Sequence, residues 1–226
     1  MVQKIEGEEE SPKIASAPPR QPHPLKNVWT YWYLNDERNS NWEDRLKKVC
    51  SVNTVEEFWA LQNNIRPPSS LASTCDYNFF KEGIQPMWEV PENLHGGRWL
   101  INIDKGKSGQ VLDLIWLEII LSMIGEQYGD DMENICGLVC NVRNKGHKIS
   151  MWTRQHNDDE SNLRIGKVIA RVLNNARLPD GVNGPQHLFD VLRYEDHNSC
   201  QKKSGSTVKP KLTISAVEEL VKNDGK

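Results

Sequence analysis

The stretch from Leu138 to Trp152 constrains the fold of this chain more than any other. Leu138-Val139-Cys140-Asn141-Val142-Arg143 and Lys148-Ile149-Ser150-Met151-Trp152 are rich in strand-forming residues, and Asn144-Lys145-Gly146-His147 between them has the composition of a four-residue hairpin loop. Strands joined this tightly pair antiparallel, so the chain carries an antiparallel sheet. A loop of that length sets Arg143 opposite Lys148 and Asn141 opposite Ser150, with Trp152 further along the same face. Like charges directly opposite each other are destabilising. Either the two long side chains splay into water or an anion sits between them. A tryptophan on the same face suits a ligand with an aromatic part and a phosphate part.

A second stretch, Gly83-Ile84-Gln85-Pro86-Met87-Trp88-Glu89, puts a tryptophan beside a carboxylate in a loop. Pro86 and Pro91 exclude a regular helix or a central strand there. Trp88 is either a lid over the core, with Glu89 in water, or a flat π face for a ligand whose N–H edge an ionised carboxylate can accept. A guanine base has that edge, and methylation at N7 adds positive charge to its ring.

Around these stretches the pattern mixes strands and helices. Val28-Trp29-Thr30-Tyr31-Trp32-Tyr33, Arg98-Trp99-Leu100-Ile101-Asn102-Ile103 and Leu188-Phe189-Asp190-Val191-Leu192 read as strands, and Leu212-Thr213-Ile214 as a closing one. Thr54-Val55-Glu56-Glu57 is a capping box that opens a helix running to about Asn64. Phe58, Leu61 and Ile65 make its apolar stripe; Val55 and Trp59 fall roughly a quarter-turn away. Trp59 is then either a core-margin residue or a half-exposed anchor for a partner helix. A second helix over Val111 to Gln127 is apolar across roughly 200°, twice what one-sided burial needs. A third spans Asn162 to Asn174. Hairpin signals without regular βαβ units predict an α+β fold, with helices on one face of an antiparallel sheet.

Composition narrows the function classes. A length of 226 residues fits one domain. A net charge of −3 argues against nonspecific binding to nucleic-acid backbone, so any such contact should be local. Five cysteines without C-x-x-C spacing fit reduced thiols in a cytosolic or nuclear setting. No apolar run reaches the ~20 residues of a membrane span. There is no His/Cys metal constellation, no Gly-rich phosphate loop leading into a helix and no base beside a nucleophile, which argues against an enzyme.

Together, His23-Pro24-Leu25-x-x-x-Trp29, Thr54-Val55-Glu56-Glu57-Phe58-Trp59-Ala60-Leu61, Phe80-Lys81-x-Gly83-Ile84-x-Pro86-Met87-Trp88-Glu89, Gly96-Gly97-Arg98-Trp99, Trp116-Leu117-Glu118 and Asn141-Val142-Arg143 resemble eukaryotic translation initiation factor 4E, the mRNA cap-binding family. The resemblance implies a strongly curved antiparallel sheet of about eight strands, three helices on its convex face and a slot in the concavity. It implies that Trp42 and Trp88 sandwich the 7-methylguanine, that Glu89 accepts its N1 and N2 protons, and that Trp152 lies against the N7 methyl. Arg143 and Lys148 take the role of triphosphate ligands, with Arg98, Asn141 and Lys203 as secondary contacts. The ligand is the 7-methylguanosine triphosphate cap, and neither cofactor nor metal is implied.

On the convex face, His23, Pro24, Val55, Trp59, Leu117, Glu118, Leu121 and Gly125 match the surface where a 4G-type scaffold and competing 4E-binding proteins dock a Tyr-x-x-x-x-Leu-hydrophobic helix. Ser206 resembles the family's phosphorylated serine. The implied organisation is a disordered acidic and proline-rich arm over 1–22, a monomeric cap-binding domain over 23–214 and a tail over 215–226 that begins with another capping box. Keeping tryptophan at both 29 and 42 favours the initiation-type class over a cap-binding repressor or adaptor, which is the second reading. The segment 175–186 and the tail are additions to the family pattern, with no assigned role.

Overall fold

Eight antiparallel strands form one curved, open sheet, ordered β2-β1-β3-β5-β6-β4-β7-β8. The strands are β1 (Pro24–Leu34), β2 (Leu46–Thr54), β3 (Asp76–Lys81), β4 (Gly97–Ile103), β5 (Ile135–Asn141), β6 (His147–Thr153), β7 (Val191–Asp196) and β8 (Leu212–Ser215). Among the described residues, six α-helices accompany them: α1 (Trp42–Arg45), α2 (Val55–Gln62), α3 (Pro91–Leu94), α4 (Gly109–Ile124), α5 (Asp159–Asn175) and α6 (His197–Gln201). This is a computed structural model, and it describes residues 21–37, 41–104, 106, 109–178, 187–201 and 209–217. Among them, no helix is long and apolar enough to cross a membrane.

The long helices α2, α4 and α5 cover the convex face, because each carries an apolar stripe that only the sheet can bury. The core between the layers is strongly aromatic. Trp29 stacks on Phe79 at 5.2 Å, and Trp116 of α4 donates its indole N–H to the Tyr31 hydroxyl at 3.1 Å. Trp99 donates to the Asn162 carbonyl of α5 at 2.8 Å, and Gly166 makes that approach possible, since a Cβ there would lie 2.3 Å from the Trp99 ring. Emptying any one of these tryptophan sites would cost ~3–5 kcal/mol.

The start of α2 obeys its sequence signal. The Glu57 N–H donates to the Thr54 hydroxyl at 3.1 Å, while the Glu57 carboxylate reaches back to the Asn53 N–H at 2.8 Å. The hairpin departs from expectation. Asn141, not Arg143, pairs with Lys148, and Val139 pairs with Ser150. The loop is therefore Val142 to Gly146, because Val142 turns toward β3 and exchanges backbone hydrogen bonds with Cys75 and Thr74. The shift is by two residues, so the faces are preserved. Leu188 and Phe189 are buried but precede β7, which starts at Val191.

Candidate functional site

The concave face has its own small apolar cluster. Phe80, Ile84, Cys136, Val139 and Trp152 are buried there, and Trp88 packs on them. The loop that delivers Trp88 is set by its sequence. Gly83 supplies a positive φ of 83°, which a side chain would strain, and buried Ile84 anchors the chain on its way to Pro86. Asn93 of α3, fully buried, donates its amide to the carbonyls of Gln85 and Met87 at 2.9 and 2.7 Å. That clamp fixes the loop just before Trp88.

Trp88 lies edge-on to Trp152 at 5.2 Å and tilted against His197 at 4.8 Å, with the Arg98 guanidinium over its ring at 5.4 Å. Arg98 is itself held by Glu195 at 3.0 Å, on the strand beside it. Next to Trp88, the Glu89 side chain is exposed, and its carboxylate has no hydrogen-bond or ion-pair partner among the described residues. A cleft of about 120 Å³ opens beside them, with Asn78, Asn141 and Trp152 in its walls.

His197 is nearly enclosed, with rings of Trp88 and Trp152 at 4.8 and 4.5 Å. Burial, aided by the charge of Arg98, pushes its pKa down to about 3, so the imidazole is neutral. Neither ring nitrogen has a hydrogen-bond partner among the described residues.

The cations at the rim sit differently from the hairpin reading. Arg143 lies in the loop beyond β5, where its guanidinium forks onto the Asp76 carboxylate, with Nη2 to Oδ2 at 3.1 Å. Arg143 and Lys148 are not cross-strand partners, yet both line one groove at this end of the sheet. Asn141, paired with Lys148, joins that groove to the cleft. Trp88, Glu89, Trp152, Arg98, Asn141, Arg143 and Lys148 are thus assembled on or beside the concave face. Trp42 opens α1, but its side chain lies outside the described residues, as do Lys203 and Ser206. Asp76, Asn93, Glu195 and His197 were not legible as site residues, since each acts through a contact distant in sequence. Among the described residues, no His/Cys/Asp/Glu cluster suits a metal ion.

On the opposite face, Trp59 is 39% exposed on α2, and Leu117, Glu118 and Leu121 lie half-buried on α4, with Gly125 exposed just after it. The beginning of β1 ties both helices together. His23 binds Glu56 of α2 through its ring at 2.6 Å and its backbone N–H at 2.9 Å, holding that carboxyl down at about 2. Three residues on, Asn27 and Lys26 contact Glu126, just past α4, at 2.8 and 3.3 Å.

Comparison with known proteins agrees with this architecture. The model of the family "Eukaryotic initiation factor 4E" matches residues 24–211. Eukaryotic translation initiation factor 4E-1 of Caenorhabditis elegans is 62% identical over 192 residues, covering 85% of this chain and 89% of that protein. The structure superposes on Ascaris suum eIF4E-3 solved with an m2,2,7G cap, with a TM-score of 0.75, 46% identity and coverage of 86% and 99% of the two chains. It also matches C. elegans eIF4E-3 in complex with the 4E-binding protein Mextli and a cap analog, with a TM-score of 0.73, 42% identity and coverage of 86% and 100%. With the family model matching residues 24–211 and a 62% identical relative covering 85% of its length, this chain belongs to the eukaryotic initiation factor 4E family.

Proposed function

We propose that this protein binds the 7-methylguanosine 5′ cap of mRNA in the concave cleft and presents it to an initiation scaffold docked on the convex face. It acts as a binding protein, not an enzyme, and works in the cytoplasm. The observation that carries the reading is the clamped loop that holds Trp88 against the cleft with an unpartnered Glu89 carboxylate beside it.

In this reading the purine stacks between Trp88 and Trp42 while Glu89 accepts the N1 and N2 protons, each a charge-assisted bond of ~1.5–3 kcal/mol. Trp152 lines the far wall toward the N7 methyl. A ring charged by N7 methylation gains a cation–π contact of ~0.5–2 kcal/mol on the tryptophan face that neutral guanine lacks. Arg143 is aimed by Asp76 and shares a groove with Lys148, which gives the triphosphate two cations at the mouth of the cleft. Arg98, Asn141 and Lys203 supply secondary contacts. The paired helices α2 and α4 offer Val55, Trp59, Leu117, Glu118, Leu121 and Gly125, with His23 and Pro24, to the docking helix of a 4G-type scaffold or a 4E-binding protein.

A tryptophan-fluorescence titration tests the reading, using 7-methylguanosine triphosphate, its unmethylated form and its trimethylated form. Strong quenching by the N7-methylated nucleotide and at least about tenfold weaker binding of the unmethylated one are expected. Equal weak responses to all three would refute it. The trimethylated form measures how far the site depends on both N2 donors, which that nucleotide lacks.

A further inference from the structure

On the convex side, a groove of about 350 Å³ runs between α4 and α5, next to the docking surface. Glu118 and Gln127 line it from the α4 segment, and Arg171, Asn175 and Arg177 from the α5 segment. Glu118 belongs to both places. It follows Leu117 by one residue, so it points ~100° away from it around the helix, into this groove.

The charges here are left unmatched. Glu118 is half-buried and Arg171 exposed, and neither has a hydrogen-bond or ion-pair partner among the described residues. They line one groove without meeting, which leaves room for another side chain between them. Glu126, the next acid along, is already held by Lys26 at 3.3 Å and Asn27 at 2.8 Å. Two guanidinium groups therefore stand against one carboxylate, in a chain whose net charge is −3. The two arginines differ in what they can offer. Arg177 donates through Nη1 to the Asn174 and Ala176 carbonyls at 2.9 and 3.0 Å, and so offsets the partial negative charge at the end of α5. Arg171 sits one turn earlier and is committed to nothing. It is the cation available to an incoming anion.

We propose that this groove receives an acidic side chain flanking the docking motif of a 4G-type scaffold or a 4E-binding protein, with Arg171 pairing to its carboxylate. The proposal rests on the docking role of the convex face and extends that surface from α2 and α4 onto α5. A helix seated on α2 and α4 keeps its flanking residues beside the groove at high effective concentration. RNA held in the cleft lies across the sheet from it.

The test measures docking of a Tyr-x-x-x-x-Leu-hydrophobic peptide to the full chain by isothermal titration. The same peptide is also extended by three glutamates at its N-terminal end or at its C-terminal end, with three glutamines at each end as controls. Each is titrated into wild type, Arg171→Glu and Arg171→Lys. One of the acidic extensions should bind wild type about two- to fivefold more tightly than its glutamine control. The gain should vanish in Arg171→Glu, persist in Arg171→Lys and shrink at high salt. The unextended peptide and 7-methylguanosine triphosphate should bind all three proteins alike. No gain from either acidic extension, or a gain indifferent to Arg171→Glu, overturns the proposal. So does tighter binding of the unextended peptide to Arg171→Glu, which would mean that acidic residues of the chain itself, such as Glu8-Glu9-Glu10, compete from this groove. Failure of the unextended peptide to bind wild type would bring down the docking role and this proposal with it, whereas loss of the acidic gain alone removes only this proposal.

Discussion

Trp88 and Trp59 both stand partly out of the protein, on opposite faces, and the support behind each is different. Trp88 sits on a loop, and buried polar groups hold its surroundings: Asn93 clamps the loop and Glu195 holds the arginine over its ring. Trp59 sits on a helix, edge-on to Phe58 at 5.2 Å, above an apolar core. A slot for a small polar ligand must place donors and acceptors within fractions of an ångström, so the concave face commits buried polar residues to positioning. A face that receives a helix needs apolar area on a rigid support, and the core beneath α2 and α4 supplies it. Damage to one face should therefore leave the other working.

Glu89→Ala tests that separation most severely. Two charge-assisted bonds of ~1.5–3 kcal/mol each imply a loss of cap affinity beyond about a hundredfold. Because the carboxylate is exposed and unpartnered, the fold and the docking-peptide affinity should be unchanged. Near-wild-type cap binding in fluorescence titration would remove Glu89 from the recognition edge; loss of peptide binding would mean that the two faces are coupled.

Trp59→Ala is the converse. As a half-exposed anchor it should weaken docking peptides about thirtyfold, the ~2 kcal/mol typical of an interface hot spot. Cap affinity should stay at its wild-type value. Isothermal titration with a Tyr-x-x-x-x-Leu-hydrophobic peptide measures the first quantity. Loss of both activities would mark Trp59 as part of the core.

The two faces also differ in how far sequence predicts them. Helix α2 is set by Thr54 and Glu57, because capping is local chemistry. The two-sided apolar character of α4 is real: Leu112, Trp116, Ile119, Ile120 and Met123 are buried, while Leu117, Leu121 and Ile124 are only partly covered. Strand β3 is short: Asp76-Tyr77-Asn78-Phe79 alternates polar with aromatic, but the alternation breaks at Phe80 after four residues, and all six residues of the strand are buried. Strand β2 carries Lys47 and Lys48 at the sheet edge and reads as polar. On the concave face, Trp88, Glu89, Trp152, Arg143 and Lys148 were legible as residue types that bind, and their shared face survived a two-residue error in register. Their supports were not. Asp76 is 67 residues from Arg143 and Glu195 is 97 from Arg98, and a lone acid in a strand announces neither contact.

Arg143→Ala sharpens the comparison within the concave face itself. Affinity for the cap triphosphate should fall about tenfold, as expected for loss of a charge-assisted contact, while affinity for the 7-methyl nucleoside should hardly change. Equal losses for both ligands would mean that Arg143 acts by holding Asp76 and the sheet edge. Asp76 loses its guanidinium in this variant, but Arg143 is 38% exposed, so solvent should limit the stability cost to ~1 kcal/mol. A denaturant midpoint measured beside the titration separates that cost from the binding effect.

The smallest expected effect concerns stability and distinguishes the faces by pH. His197 is buried between Trp88 and Trp152, with a pKa held down near 3, whereas an unfolded imidazole takes up its proton near 6.5. Between those values the unfolded state binds one more proton than the native state, so stability falls as pH drops through this window, by up to ~1.4 kcal/mol per pH unit from this group. His147, whose pKa burial also lowers, adds in the same direction. Glu56 and Glu82 are held at about 2 by their hydrogen bonds, so their contribution is lost only as pH falls from about 4.5 toward 2. Between pH 6.5 and 4.5 the histidines therefore dominate among these groups. His197→Phe keeps a flat ring between the tryptophans and removes the proton site, so urea midpoints across that interval should decline less steeply than in wild type. An unchanged slope would place the acid sensitivity elsewhere. A flattened slope would show that the seat of Trp88 weakens with acid through a single imidazole, on a face where buried polar groups do the positioning, while the apolar support of Trp59 carries no such group.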